Sequence, residues 1–231
     1  MITVRRSEER GRYQQDWLDS RHTFSFDTYQ DPRHTGFRKL RVINEDRVEA
    51  GGGFPLHPHR DMEIVSIVIE GALKHQDSLG HEGIIEAGQL QRITAGNGVR
   101  HSEYNPSDEE PVHFLQIWIF PDAEGLKPSY ETKDFSDLPA NTLRPVATRD
   151  GRLGSATIHQ DVSLYLAKIE KGKRLDHQLD AERHAWVQVV DGAVELNGTA
   201  LQAGDGAAVS EERILLISAV SHARFLLFDL N

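Results

Sequence analysis

The stretch Gly51-Gly52-Gly53-Phe54-Pro55-Leu56-His57-Pro58-His59-Arg60-Asp61-Met62-Glu63 runs straight into Ile64-Val65-Ser66-Ile67-Val68-Ile69 and stops at Glu70-Gly71. Met62–Ile69 is β-branched and bounded by turn residues, so it reads as a strand. His57 and His59 are separated by one residue. On an extended segment such positions share a side, so both imidazoles can grip one ion. A second pair, His101 and Glu103 in Gly96-Asn97-Gly98-Val99-Arg100-His101-Ser102-Glu103, repeats the step. If adjoining strands carry the two pairs, three imidazoles and one carboxylate converge. Each pair alone reads equally as surface histidine and solvated acid; the flanking spacing is what favours a site.

That donor set suits a borderline divalent metal such as Fe, Ni, Cu or Zn. A closed structural zinc normally uses cysteine, and the chain has none. Four protein ligands on an octahedral ion leave two positions open, an arrangement for catalysis rather than for a structural staple.

Further strands are expected at Arg38–Ile43, Val112–Phe120, Ser163–Ile169, Trp186–Val190, Ala193–Leu196, Leu215–Val220 and Arg224–Leu230. Val112–Phe120 is apolar on both faces and should be buried on both sides or line a cavity. Helical patterning is weak, so the expected class is all-β: sandwich, barrel or jelly roll. Between Pro121 and Arg152 four prolines and many charges predict an irregular connector. A weak internal repeat joins the halves. His57 lies 14 residues before Gly71 and His177 lies 15 before Gly192, and Ala87-Gly88-Gln89 is echoed by Ala203-Gly204-Asp205. The chain therefore divides into 1–125, a metal-binding domain, and 126–231, the connector and a second β-domain.

At 231 residues the chain holds one large or two small domains, at about 150 residues each. A net charge of −10 argues against direct nucleic-acid binding while leaving a protein partner open. No apolar run reaches the roughly 18 residues of a membrane helix. The N-terminus lacks a secretory apolar core, so the cytoplasm is the expected compartment.

Gly51-x5-His57-x-His59-x3-Glu63-x6-Gly71 matches the first motif of the cupin superfamily. The second motif is looser, with Thr94 where many cupins have proline. More narrowly, His22-Thr-Phe-Ser-Phe26, Leu40-Arg-Val-Ile-Asn44, His57-Pro-His-Arg-Asp-Met-Glu-Ile64, His75-Gln-Asp-Ser78 and Thr94-Ala-Gly-Asn-Gly98 followed by His101-Ser-Glu103 resemble the pirin family. The resemblance implies a bicupin, two jelly-roll-like β-domains face to face with metal in the N-terminal one. It implies His57, His59, His101 and Glu103 as ligands of one divalent ion. Fe(II) is the expected ion, with Zn, Mn, Co, Ni and Cu as alternatives. Glu63, the ligand in many other cupins, then becomes a supporting residue that orients an imidazole. The second half keeps its glycines but has Leu179 where a second imidazole would stand, and reads as a degenerate cupin without metal.

The resemblance further implies flavonol (quercetin-like) 2,3-dioxygenase activity with dioxygen and release of carbon monoxide, with Glu103 taking the substrate proton. Phe114, Ile117 and Trp118 would either wall a planar substrate or pack the core. His75 and His113 face either the site or the core; His22 and His34 have no ligand spacing. The alternative from another class is a metal-dependent redox regulator acting through protein contacts. A sugar-phosphate isomerase would need several cations around a phosphate, and only Arg60, Arg92 and Arg100 lie near the motifs.

Overall fold

The computed structural model describes residues 1–231 as strands joined by turns and two short 3-10 segments. The strands begin with β1 (Ile2–Arg5), β2 (Gly11–Gln15), β3 (Leu18–His22), β4 (Leu40–Val48), β5 (Gly53–His59), β6 (Glu63–Glu70) and β7 (Ala72–Asp77). There follow β8 (Glu82–Glu86), β9 (Gln89–Thr94), β10 (Val99–Tyr104), β11 (Val112–Ile119), β12 (Ser129–Asp134), β13 (Thr142–Thr148) and β14 (Ala156–Thr157). The chain ends with β15 (Val162–Ile169), β16 (Arg174–Gln178), β17 (His184–Asp191), β18 (Ala193–Leu196), β19 (Thr199–Gln202), β20 (Gly206–Val209), β21 (Ile214–Ala219) and β22 (Ala223–Leu230).

Two compact units interleave in sequence, one formed by 11–137 and 156–160, the other by 1–10, 138–155 and 161–231. This differs from a single cut at 125/126, and the reasons are specific hydrogen bonds. β1 pairs along its length with β20, and Arg6 and the Ser7 amide both bind the Asp205 carboxylate, at 2.7 and 2.8 Å. Residues 156–160 return to the unit of 11–137 through the Thr157 amide on Glu131 at 3.0 Å and Gln160 on the Phe120 carbonyl at 2.8 Å.

In the unit of 11–137, a seven-stranded sheet has the order β12-β9-β6-β11-β4-β3-β2, and a four-stranded sheet has the order β5-β10-β7-β8. β6 and β11 are central, which explains their apolar character on both faces. Leu18, Val48, Val68, Leu73, Ile85 and Phe114 fill the space between the sheets. β5 lies at a sheet edge, where Pro55 and Pro58 remove no ladder donor that a neighbour needs. β10 alternates: His101 and Glu103 are buried, while Arg100 and Tyr104 are exposed.

The other unit repeats the plan. Its four-stranded sheet is β16-β21-β18-β19, and β20-β17-β22-β15 matches β9-β6-β11-β4. Gly71, between β6 and β7, and Gly192, between β17 and β18, occupy equivalent turns and both have φ of 75°, a conformation glycine adopts without steric cost.

The expected irregular connector instead holds two strands. β12 pairs with β9, and β13 pairs with β15 with a bulge between Pro145 and Ala147. Ser-Tyr-Glu-Thr-Lys-Asp carries no apolar alternation because β12 is an edge strand, and Pro145 is accommodated by the bulge.

Candidate metal centre and cavity

Antiparallel pairing of β5 with β10 sets His57 opposite His101. The alternation of β5 brings His59 to the same face. The ring centroids of His57 and His101 are 4.5 Å apart, those of His59 and His101 4.8 Å, and those of His57 and His59 4.8 Å. Donor atoms of the three imidazoles lie within 4.8 Å of one another, so together they could hold a metal ion.

The protonation pattern fits that use. The Nε2 atoms of His59 and His101 are buried and take no hydrogen bond from the protein. His57 Nδ1 lies 2.8 Å from the Pro55 carbonyl, which can only accept, so Nδ1 carries the proton and Nε2 keeps its lone pair. Burial, reinforced by neighbouring imidazoles, pushes His59 and His101 down to about 3, so both are neutral, as metal binding requires. Buried lone pairs without donors on His59 and His101, with the free Nε2 of the partly exposed His57 beside them, suit a divalent cation.

A bulge follows His101 in the β5 pairing, and Glu103 then lies opposite His75 on β7. Its carboxylate is grouped within 4.8 Å with donor atoms of His101 and His75. One oxygen accepts from Gln91 Nε2 at 2.5 Å and Ser66 Oγ at 3.4 Å; the other accepts from Gln116 Nε2 at 2.7 Å. Burial pushes the Glu103 carboxyl above its usual range, while the His75 and His57 imidazoles and the Gln116 and Ser66 donors oppose this.

Glu63 is elsewhere. Its oxygens meet Thr94 Oγ1 and His159 Nδ1, each at 3.1 Å. The imidazole it touches is that of His159, and not one of the three that converge.

The imidazole cluster opens into a cavity of about 370 Å³. Trp118 lines it, whereas Phe114 and Ile117 are fully buried core residues. Trp17 and Phe54 meet edge to face at 5.3 Å, as do Phe26 and Trp118, giving aromatic walls. No lysine or arginine lines the cavity, while Asp27, Asp46 and Glu103 do. Leu56, an exposed apolar residue, stands at its rim.

One wall had no ligand-like spacing to announce it. Ser20 and His22 on β3 are paired with Asp46 and Asn44 on β4, and all four side chains line the cavity. The only sequence signal is the same step of two that marks the imidazole pairs, together with Gln116 inside an otherwise apolar strand. Burial, with Glu103 and Glu45 adding to it, pushes the Asp46 carboxyl up to about 7 against the Ser20 hydrogen bond. Of the remaining histidines, His113 pairs with Glu45 at 3.0 Å, and His34 donates its amide to the Asp31 carbonyl.

In the other unit, His177 lies opposite Leu215, so Leu215 and Ile217 stand where His101 and Glu103 do, and Leu179 where His59 does. All three are buried in an apolar cluster. His177 instead bonds Asp229 at 2.9 Å, and Arg183 holds the other oxygen of that carboxylate. No helix of the chain is long and apolar enough to cross a membrane.

The family model described as Pirin matches residues 3–119, and that of the quercetinase C-terminal cupin domain matches 145–230. A quercetin 2,3-dioxygenase of Escherichia coli K12 is 47% identical over 230 residues, covering 100% of this chain and 99% of the relative. A pirin-like protein of Caulobacter vibrioides is 35% identical, covering 99% of both. The crystal structure of bacterial pirin YhhW in complex with nickel(II), from Escherichia coli, superposes with a TM-score of 0.96 at 47% identity, covering 100% of this chain and 99% of that one.

Proposed function

Because the chain belongs to the pirin family, we propose that it is a metal-dependent dioxygenase that cleaves a flavonol such as quercetin with dioxygen. The observation that carries this reading is the convergence of His57, His59 and His101 beside a cavity with aromatic walls and no cationic side chain. The ligand set is His57, His59, His101 and Glu103. Fe(II) is the preferred ion, with nickel, bound in the Escherichia coli relative, among the alternatives.

When bound, the ion supplies Lewis-acid stabilisation of the oxyanion formed at the flavonol 3-hydroxyl. The chain's own residues do the rest. Glu103, on loosening from the ion, accepts the 3-hydroxyl proton. Gln91 and Gln116 hold that carboxylate in place. Trp118, Phe26, Trp17 and Phe54 sandwich the planar rings and exclude water. Both atoms of dioxygen enter the ring-opened ester, and one ring carbon departs with its oxygen as carbon monoxide.

An aromatic pocket bearing carboxylates and no cation suits a neutral polyphenol and disfavours a sugar phosphate. A redox regulator would call for a sealed ion; His57 and His59 are instead partly exposed and open into the cavity. The test is oxygen uptake and carbon monoxide release by metal-loaded protein with quercetin, expected in equal amounts. Full metal binding with no oxygen uptake on any flavonol overturns the activity and leaves the metal site standing.

A further inference from the structure

Arg60 and Arg100, cations that the sequence places beside the metal motifs, do not enter the aromatic cavity. They line a second cavity of about 390 Å³, together with Pro58, Ser78 and Asn97. The two cavities have only His59 in common, and their charges are opposite. Carboxylates and no cation line the first; two arginines and no carboxylate line the second. Strand register builds this arrangement. Arg100 lies opposite Pro58 where β10 pairs with β5, and Arg60 stands two residues along from Pro58. Alternation therefore puts both guanidiniums on the exposed face, while the His101 ring turns to the buried one.

The donors of this cavity are largely unused. No acceptor in the protein meets the Arg100 guanidinium. Arg60 meets only its sequence neighbour, with Nε 3.4 Å from Asp61 Oδ2. Ser78 Oγ accepts from the Arg100 amide at 3.1 Å, so its hydroxyl proton is available to a ligand. Asn97 is exposed and its side-chain amide is unengaged. Like charges that neighbour one another on one face repel, and an anion seated between them removes that cost. The net charge of −10 does not prevent this, because charges more than about 8 Å away are largely screened at physiological salt. Guanidinium forks match phosphate oxygens, and the hydroxyl and amide add donors. The volume exceeds what a bare phosphate fills, which leaves room for a small organic group against Pro58 and Val99. We propose that this cavity is a phosphate site that takes a small phosphomonoester between Arg60 and Arg100. The site goes beyond the dioxygenase reading and does not depend on it.

The experiment is calorimetric titration of the full chain, metal-free and metal-loaded, with glycerol 3-phosphate and with inorganic phosphate. Saturable one-to-one binding is expected in both forms of the protein, weakening as sodium chloride is raised. Tighter binding of glycerol 3-phosphate assigns a phosphomonoester; tighter binding of inorganic phosphate keeps the site and assigns free phosphate. Arg60→Gln and Arg100→Gln should each weaken binding about tenfold or more, the effect of one charged hydrogen bond. Both side chains are exposed, so thermal unfolding and metal content should stay at wild-type values. No saturable binding below about 10 mM in wild type overturns the site without recourse to any variant. Undiminished affinity in both variants overturns it as well. Binding that appears only in the metal-loaded protein would put the phosphate on the ion and equally overturn the site.

Discussion

The Nδ1 atom of His101 lies 3.4 Å from the Nδ1 atom of His75. Behind it, His75 Nε2 is 3.3 Å from the Asp77 carboxylate, which can only accept while ionised. Asp77 also accepts from His81 Nδ1 at 2.9 Å, and Tyr130 stacks on His75 at 4.6 Å between ring centroids. The directions follow in order. His75 donates from Nε2, so its Nδ1 accepts from His101 Nδ1, and His101 Nε2 is left with a lone pair toward His57 and His59. A carboxylate thus sets the tautomer of a candidate ligand through an intervening imidazole.

His75→Leu should therefore weaken metal binding by about 10–100-fold, the usual effect of losing a group that orients a ligand. Chelator competition on the purified variant measures it. Wild-type affinity in a folded His75→Leu protein would show that His101 needs no such partner.

Glu103 and Glu63 should separate cleanly. Glu103→Ala should abolish stoichiometric metal by elemental analysis. Glu63→Ala should keep the metal but lower stability by about 1–3 kcal/mol, because Thr94 and His159 lose a buried partner. The reverse pattern would reassign the carboxylate ligand to Glu63.

Gly53 is required by a close approach. A Cβ there would lie 2.4 Å from the Glu103 carbonyl oxygen and 2.6 Å from Tyr104 Cα. Gly53→Ala should push β5 from β10, costing about 1–3 kcal/mol of stability and weakening metal binding together. Thermal unfolding and metal titration on one preparation check both.

Asp46 should make stability fall as pH rises. Its folded pKa is raised from 3.8 to about 7, so the native state holds a proton that the unfolded chain has released. The stabilisation is complete below about 4 and lost as pH passes through about 7. Asp46→Asn, which cannot ionise, should flatten this slope in denaturant titrations across that range. A wild-type slope in the variant would exclude Asp46 as its source.

Asp229 should act in the opposite sense. Its burial favours the neutral form, but hydrogen bonds from His177 and Arg183 win and hold the carboxyl below 3.8. Its contribution is present above about 3.8 and disappears as pH falls through the lower folded value. Asp229→Asn should cost about 1–3 kcal/mol near neutrality by removing the charge that His177 and Arg183 share and leaving Arg183 only the half-exposed Asp161, and the difference should vanish in acid. Unfolding curves at neutral and low pH give the comparison.

Much of the fold was legible because its signals are local. β-branched runs ended by glycine mark β6 and β17, and the recurring glycine turns mark two units on one plan. The strand β12 was not legible. An edge strand needs only one neighbour and little apolar surface, so Ser129–Asp134 carries almost no pattern of its own. The same holds for His75, whose role depends on a partner 26 positions away.

The two-residue steps that put His57 beside His59 and His101 beside Glu103 are local properties of the chain, since an extended backbone alternates its faces whatever surrounds it. The charge, the absence of thiols and the glycine turns are local in the same way. Which strands became neighbours depends on the folded molecule. Strand pairing set His57 against His101, brought Ser20, His22, Asn44 and Asp46 to the wall of the same cavity, and gave Glu63 to His159 instead of to the cluster. Local sequence governs the direction of a side chain, whereas the groups it meets are chosen by non-local register and burial.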